Sequence, residues 1–78
     1  VFLSLCLLSA VAHAAEDARV TFLSKQLSGA KDPRVRAQTV LLLGQTGSES
    51  AVPHLCTALK DGESLVRSAA ASALGELR

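Results

Sequence analysis

The stretch Val35-Arg36-Ala37-Gln38-Thr39-Val40-Leu41-Leu42-Leu43-Gly44 recurs without a gap as Val66-Arg67-Ser68-Ala69-Ala70-Ala71-Ser72-Ala73-Leu74-Gly75. Val, Arg, Leu and Gly coincide at the first, second, ninth and tenth places, a displacement of 31 residues (35 to 66). A second match, displaced by 32 (20 to 52), lays Val20, Leu23 and Leu27 over Val52, Leu55 and Leu59. The one-residue difference falls in a turn between helices, where a change of length costs least. Self-similarity at this period is the signature of one supersecondary unit repeated and stacked on itself.

Each block reads as a helix with ends. Asp32-Pro33 supplies an N-cap and a proline at the first helical position, where the missing N–H does no harm. Val35, Thr39, Leu42 and Leu43 recur at three- and four-residue intervals, the stripe of an amphipathic helix. Gly44 and Gly47 are read as its end, and Thr46 to Ser50 as the connecting turn. In the next helix Pro53 falls in the first turn, and Val52, Leu55, Cys56 and Leu59 mark one face, with Cys56 read as a small buried hydrophobe. Asp61-Gly62 breaks the chain again before a third, Ala-rich helix from Glu63 to Arg78, with Gly75 read like Gly44 as a helix-end signal. A first helix precedes them all, with Val20, Leu23 and Leu27 inward. The expected helices span about 17–28, 33–45, 51–60 and 63–78. No stretch alternates with period two, so no strand is expected and the fold class is all-α.

These residues resemble a known family. Asp32-Pro33-Arg34-Val35-Arg36, followed by a helix ending Leu43-Gly44, is similar to the short bacterial HEAT repeat, also called the PBS-lyase HEAT-like repeat. Ala51-Val52-Pro53-His54-Leu55 through Leu59-Lys60-Asp61 resembles its second helix, and Ser64-Leu65-Val66-Arg67 through Leu74-Gly75 restarts the first. The resemblance covers about Ala18 to Arg78. It implies an α-α superhelix, a HEAT-like solenoid, of which this chain holds about two repeat units. Asp32, Pro33, Val35, Arg36, Leu43, Gly44, Pro53, Leu55, Leu59, Val66, Arg67, Leu74 and Gly75 would be its structural positions. Arg36 and Arg67 would tie one repeat to the next, with Asp32, Glu63 or a neighbouring turn in reach. The helices amount to one second helix, one full pair and one further first helix, fewer than the three repeats that usually close a core. The array is therefore expected to continue beyond Arg78, and the isolated segment to self-associate.

Such stacks present a concave ladder of second helices to other proteins. The function the resemblance implies is a non-catalytic scaffold for another protein, with Lys25, Gln26, His54, Thr57 and Lys60 as candidate contact positions. Leu41, whose counterpart is Ser72, is a further apolar position of interest. The alternative is an accessory module of a larger enzyme or sensor whose active domain lies elsewhere in the parent.

The opening of the chain is a different kind of sequence. Val1 to Ala15 carry no formal charge, and Val1-Phe2-Leu3-Ser4-Leu5-Cys6-Leu7-Leu8 is almost continuously apolar. Small residues follow, then Glu16-Asp17. An apolar core ending in Ala12-His13-Ala14 is the pattern of a secretory signal peptide, with cleavage between Ala14 and Ala15. The expected organisation is a signal at 1–14, incomplete at its N-terminus, and a repeat segment at 15–78. The expected location is the periplasm or the exterior, or a membrane anchor if the segment is retained. A buried first helix is the remaining reading.

Composition narrows the rest. Eight Lys+Arg stand against seven Asp+Glu, a net charge of +1, too weak a field to recruit nucleic acid or anionic lipid. Phe2 and Phe22 are the only aromatics, whereas single-stranded nucleic acid needs several stacking rings. Once the signal is removed His54 is the sole histidine and Cys56 the sole cysteine. That set cannot build a metal site. In HEAT-like hydroxylases His-Glu pairs hold iron. Here His54 is followed by Leu55, and its counterpart Phe22 by Leu23. No catalytic residue, cofactor, nucleic-acid partner or membrane contact of the mature segment is expected.

Overall fold

A computed structural model describes residues 17–77. The signal-cleavage positions Ala12, Ala14 and Ala15 lie outside the described residues, as does Arg78. Among the described residues there are four α-helices and no strand: α1 over 17–29, α2 over Pro33–Gln45, α3 over Val52–Ala58 and α4 over Ser64–Glu76.

The helix ends follow from local chemistry. Asp32, in an extended conformation, accepts a hydrogen bond from the Arg34 N–H at 2.9 Å, and Pro33 opens α2. At the far end Gly47 has φ 68°, a left-handed turn that L side chains rarely adopt. There its N–H donates to the Gly44 carbonyl. The Thr46 hydroxyl donates to the Leu43 carbonyl at 2.7 Å and accepts from the Ser48 N–H. Ser48 caps a 3₁₀ turn, Glu49–Ala51, that leads into α3, whose first turn contains Pro53. The expected second helix at 51–60 is thus shorter than the sequence suggested. It is a tight turn, seven α-helical residues, and a non-helical exit at Leu59 and Lys60. Asp61 accepts from the Glu63 N–H at 3.0 Å and turns the chain into α4.

The core holds Val20, Leu23, Val40, Leu43, Leu55 and Val66 with the alanines Ala37, Ala51, Ala58, Ala69, Ala70 and Ala73. Among α2, α3 and α4, the α2–α4 interface is the most extensive, and α3 lies against both. The buried Thr39 hydroxyl donates to the Val35 carbonyl at 2.8 Å, and no buried polar side-chain atom among the described residues lacks a partner.

The internal repeat explains which residues are covered. Val66 is 0% exposed and its counterpart Val35 39%, while Ala73 is 1% exposed and its counterpart Leu42 41%. Those positions face backward, onto the preceding helix of the same layer, and α2 is the first of its layer among the described residues. The forward-facing positions show the reverse. Ala37, Val40 and Gly44 are buried, whereas Ser68, Ala71 and Gly75 are exposed. The same sorting holds in the other layer: Ala51 and Ala58 are buried but Arg19 and Gln26 exposed, and Ser24 is half-buried but Cys56 exposed.

This corrects four readings. Val35 and Leu42 are exposed, because a stacked helix has two buried sides and the backward side of α2 meets no described helix. Leu59 is exposed, and Cys56 is exposed rather than buried, because the forward side of α3 is open. Gly44 and Gly75 do not end helices but lie inside α2 and α4. Gly44 is the closest point of the two helices. A Cβ on it would sit 2.6 Å from the Ala73 Cβ and 2.9 Å from the Ala73 Cα.

Overpacking of this kind costs about 1–3 kcal/mol, against about 1 kcal/mol gained from helix propensity when alanine replaces glycine. Gly44→Ala should therefore lower stability by about 1 kcal/mol, and at most by about 2, in urea unfolding. Adding Ala73→Gly should not restore it, because the Ala73 Cα and carbonyl oxygen, at 2.9 and 3.2 Å, would still meet the new Cβ. An unchanged or raised stability for the single variant would contradict the close approach.

Candidate functional site

Two features of the second-helix layer bear on function: a clamp at its edge and a groove across it. Arg36 builds the clamp from the first turn of α2. Its Nε donates to Asp61 Oδ2 at 3.0 Å and its Nη2 to Asp61 Oδ1 at 3.0 Å, a bidentate pair. Its Nη1 donates to the Lys31 carbonyl at 2.9 Å and the Ala30 carbonyl at 3.3 Å. The turn after α1 is thereby bound to the turn after α3. Arg67 repeats the local half of the pattern, with Nη1 donating to the Asp61 carbonyl at 2.8 Å. The sequence put Asp32, Glu63 or a neighbouring turn within reach of these arginines, and both reach the turn after α3. The carboxylate that is reached is Asp61, because the i+25 loop lies over the first turn of α2 whereas Asp32 is occupied as a cap.

The Arg36 guanidinium, and after it the Glu63 N–H, hold the Asp61 carboxyl below the usual carboxylate range. A carboxylate depressed in the folded state stabilises the fold above its unfolded value of about 4, and that stability is lost as pH falls through the folded value. Asp61→Asn should therefore lower the thermal midpoint at neutral pH and make its further fall below about pH 4 shallower. Parallel acid profiles for the two proteins would remove the clamp from the account.

Beside the clamp an open groove of ≈ 400 Å³ runs between α1 and α3. Ser24, Leu27 and Ser28 line it from α1, His54 and Thr57 from α3, and Arg36 and Asp61 close its floor. Its hydroxyls are anchored to their own helices: Ser24 donates to the Thr21 carbonyl, Ser28 to the Ser24 carbonyl and Thr57 to the Pro53 carbonyl. Their oxygens remain able to accept from a ligand. Arg36 and Asp61 spend their charges on each other, so the floor is polar without a strong net charge. At the start of α1 the Ser50 hydroxyl donates to Asp17 Oδ1 at 3.2 Å, which ties α1 to the 3₁₀ turn that leads into α3.

Of the five candidate contact positions, the groove brings His54 and Thr57 together. Lys25, Gln26 and Lys60 are exposed and lie outside it. The register explains the split. Gln26 is the counterpart of Ala58 and faces backward. Lys60 is the counterpart of Ser28 and lies in the turn after α3. Sequence reasoning missed Ser24, Ser28 and Asp61. The 32-residue displacement pairs Ser24 with Cys56 and Ser28 with Lys60, so it carried no signal that the two serines face His54 and Thr57.

Among the described residues no group of three or more His, Cys, Asp or Glu side chains could hold a metal ion. No described helix is long and apolar enough to cross a membrane. The chain matches the family model of HEAT repeats over residues 20–78. It belongs to the HEAT-repeat family. No curated protein and no solved structure matches it. HEAT repeats usually mediate protein–protein interaction and are generally non-catalytic, and the groove lies on the layer of second helices that such stacks present to partners.

Proposed function

We propose that this HEAT-repeat segment is part of an exported, non-catalytic scaffold whose α1–α3 groove takes an extended segment of a partner protein. One observation carries the reading. The groove combines anchored hydroxyl oxygens, the half-buried His54 and the apolar Leu27 and Ala58 in an open channel of ≈ 400 Å³. Acceptors in fixed positions suit the N–H groups of an extended peptide, and the apolar strip suits its alternate side chains. The same groove offers no activated nucleophile. Asp61, its one carboxylate, is engaged by Arg36 and is a poor base.

The export half of the proposal rests on the apolar run before Ala12-His13-Ala14 and on the acidic start that follows it. When the parent protein is produced in a bacterial host, Edman sequencing of the exported species should begin at Ala15. An uncleaved N-terminus on a membrane-bound product would replace export with anchoring.

The groove is tested with a photo-crosslinking residue placed at Thr57 and, as a control on the outer side of α4, at Ser72. The Thr57 probe should trap a discrete partner protein in the exported compartment, and His54→Glu should reduce that adduct by about ten-fold, the effect of roughly 1.4 kcal/mol of lost binding. Equal trapping from Ser72, or a Thr57 adduct indifferent to His54, would move the binding surface elsewhere.

A further inference from the structure

The backward side of α1 and α2 departs from the pattern that seats one repeat on another. Where α4 lies on α2, the positions that face backward are Val66, Ala69 and Ala73, all buried. Their counterparts on α2 are Val35, Gln38 and Leu42, all exposed. In the second layer the buried Ala51 and Ala58 are replaced by Arg19 and Gln26. Four alanines of the internal interface thus become Arg, Gln, Gln and Leu at this end. The internal approach needs an alanine at position 73, because Gly44 and Ala73 already leave no room for a Cβ. Leu42 in that position forbids the same approach, and Arg19, Gln26 and Gln38 would each lose water without a partner if covered by another repeat. The forward side keeps small residues, Ser68, Ala71 and Gly75, with open space at Gly75. The two sides of the stack are therefore built for different neighbours.

The backward side is not simply polar. Phe22, at 66% exposure the most exposed large hydrophobic residue among those described, stands with Leu42 over an open cleft of ≈ 410 Å³ whose remaining lining is Ala18, Leu23 and Arg19. Arg19 brings the only charge to that lining. Isolated exposed hydrophobes are ordinary, but two large ones walling a shared apolar cleft mark a docking position. Pairing of this cleft with a second copy would bring two Arg19 side chains and no carboxylate of the lining into one interface, which disfavours self-association here. A partner that brings a carboxylate is favoured instead.

We propose that the Phe22–Leu42 cleft is a second interaction surface, separate from the α1–α3 groove, that seats an apolar side chain from an amphipathic helix of a partner protein whose neighbouring carboxylate pairs with Arg19. The partner helix presents Leu or Phe at i and i+4, the spacing that places two apolar side chains on one face. Arg19 sets the polarity of the partner and the cleft provides the anchor.

The probe is a synthetic helical peptide with Leu at i and i+4 flanked by Glu, compared with the same peptide carrying Lys in place of Glu, by fluorescence anisotropy with the whole chain. The Glu peptide should bind better than the Lys peptide, and Phe22→Ser or Leu42→Gln should each weaken it by about ten-fold. Arg19→Glu should reverse the order of the two peptides. All three substitutions are at exposed positions, and a helical circular dichroism spectrum with an unchanged thermal midpoint checks the fold. Binding of the two peptides that is equal, or that survives Phe22→Ser, overturns the proposal. Concentration-dependent self-association abolished by Leu42→Gln also overturns it, because the cleft would then belong to a second copy.

Discussion

The two helices of the first layer meet where Gly44 faces Ala73, and the missing side chain at Gly44 sets how near their axes come. A Cβ there would overlap the opposite backbone, not merely a flexible side-chain tip. That nearness allows Val40, Leu43, Val66 and Ala70 to exclude water completely between helices of modest length. It also brings α3 into the notch beneath α2 and α4, where Leu55 and Ala58 complete the core. In a chain of this size, which buries only about 60% of its unfolded surface, close packing of small residues replaces the bulk that a larger core would supply.

The Arg36 clamp acts on the loops rather than the core. Four hydrogen bonds from one guanidinium hold the carbonyls of Ala30 and Lys31 and both oxygens of Asp61. The loops on either side of the α2–α3 unit are thus fixed to one point, and with them the separation of α1 and α3. The groove inherits its width from that separation. Packing in one layer and charge pairing in the turns thereby position hydroxyl and imidazole groups that have no direct contact with either.

Much of the fold was legible because the repeat states it twice. The Val-Arg and Leu-Gly coincidences located α2 and α4, and Asp32-Pro33 located a helix start to the residue. The sidedness of each helix was less legible. An apolar stripe read on one helix assumes one buried face, whereas a stacked helix buries a backward and a forward side. Val35, Leu42, Cys56 and Leu59 therefore looked internal although no described helix covers them. Gly44 was read as a stop signal because glycine near a helix end usually is one. Its contact with Ala73 depends on a helix 31 residues away in register, which no local window contains. Of the candidate contact positions, His54 and Thr57 lie in the groove and Lys25, Gln26 and Lys60 are exposed outside it, a division that depends on which side each helix turns to its neighbour.

The account places the α2–α4 contact at the centre of stability and the second-helix layer at its periphery. Residue-resolved amide hydrogen exchange measures that ordering directly, since protection rises with the free energy of the opening that exposes each N–H. The slowest amides should be those of Val40, Leu43 and Gly44 in α2 and of Ala70 and Ala73 in α4, with α1 and the short α3 exchanging faster. If α1 or α3 instead held the slowest amides, or if protection were uniform across the four helices, the close approach at Gly44 would not be what holds this structure together.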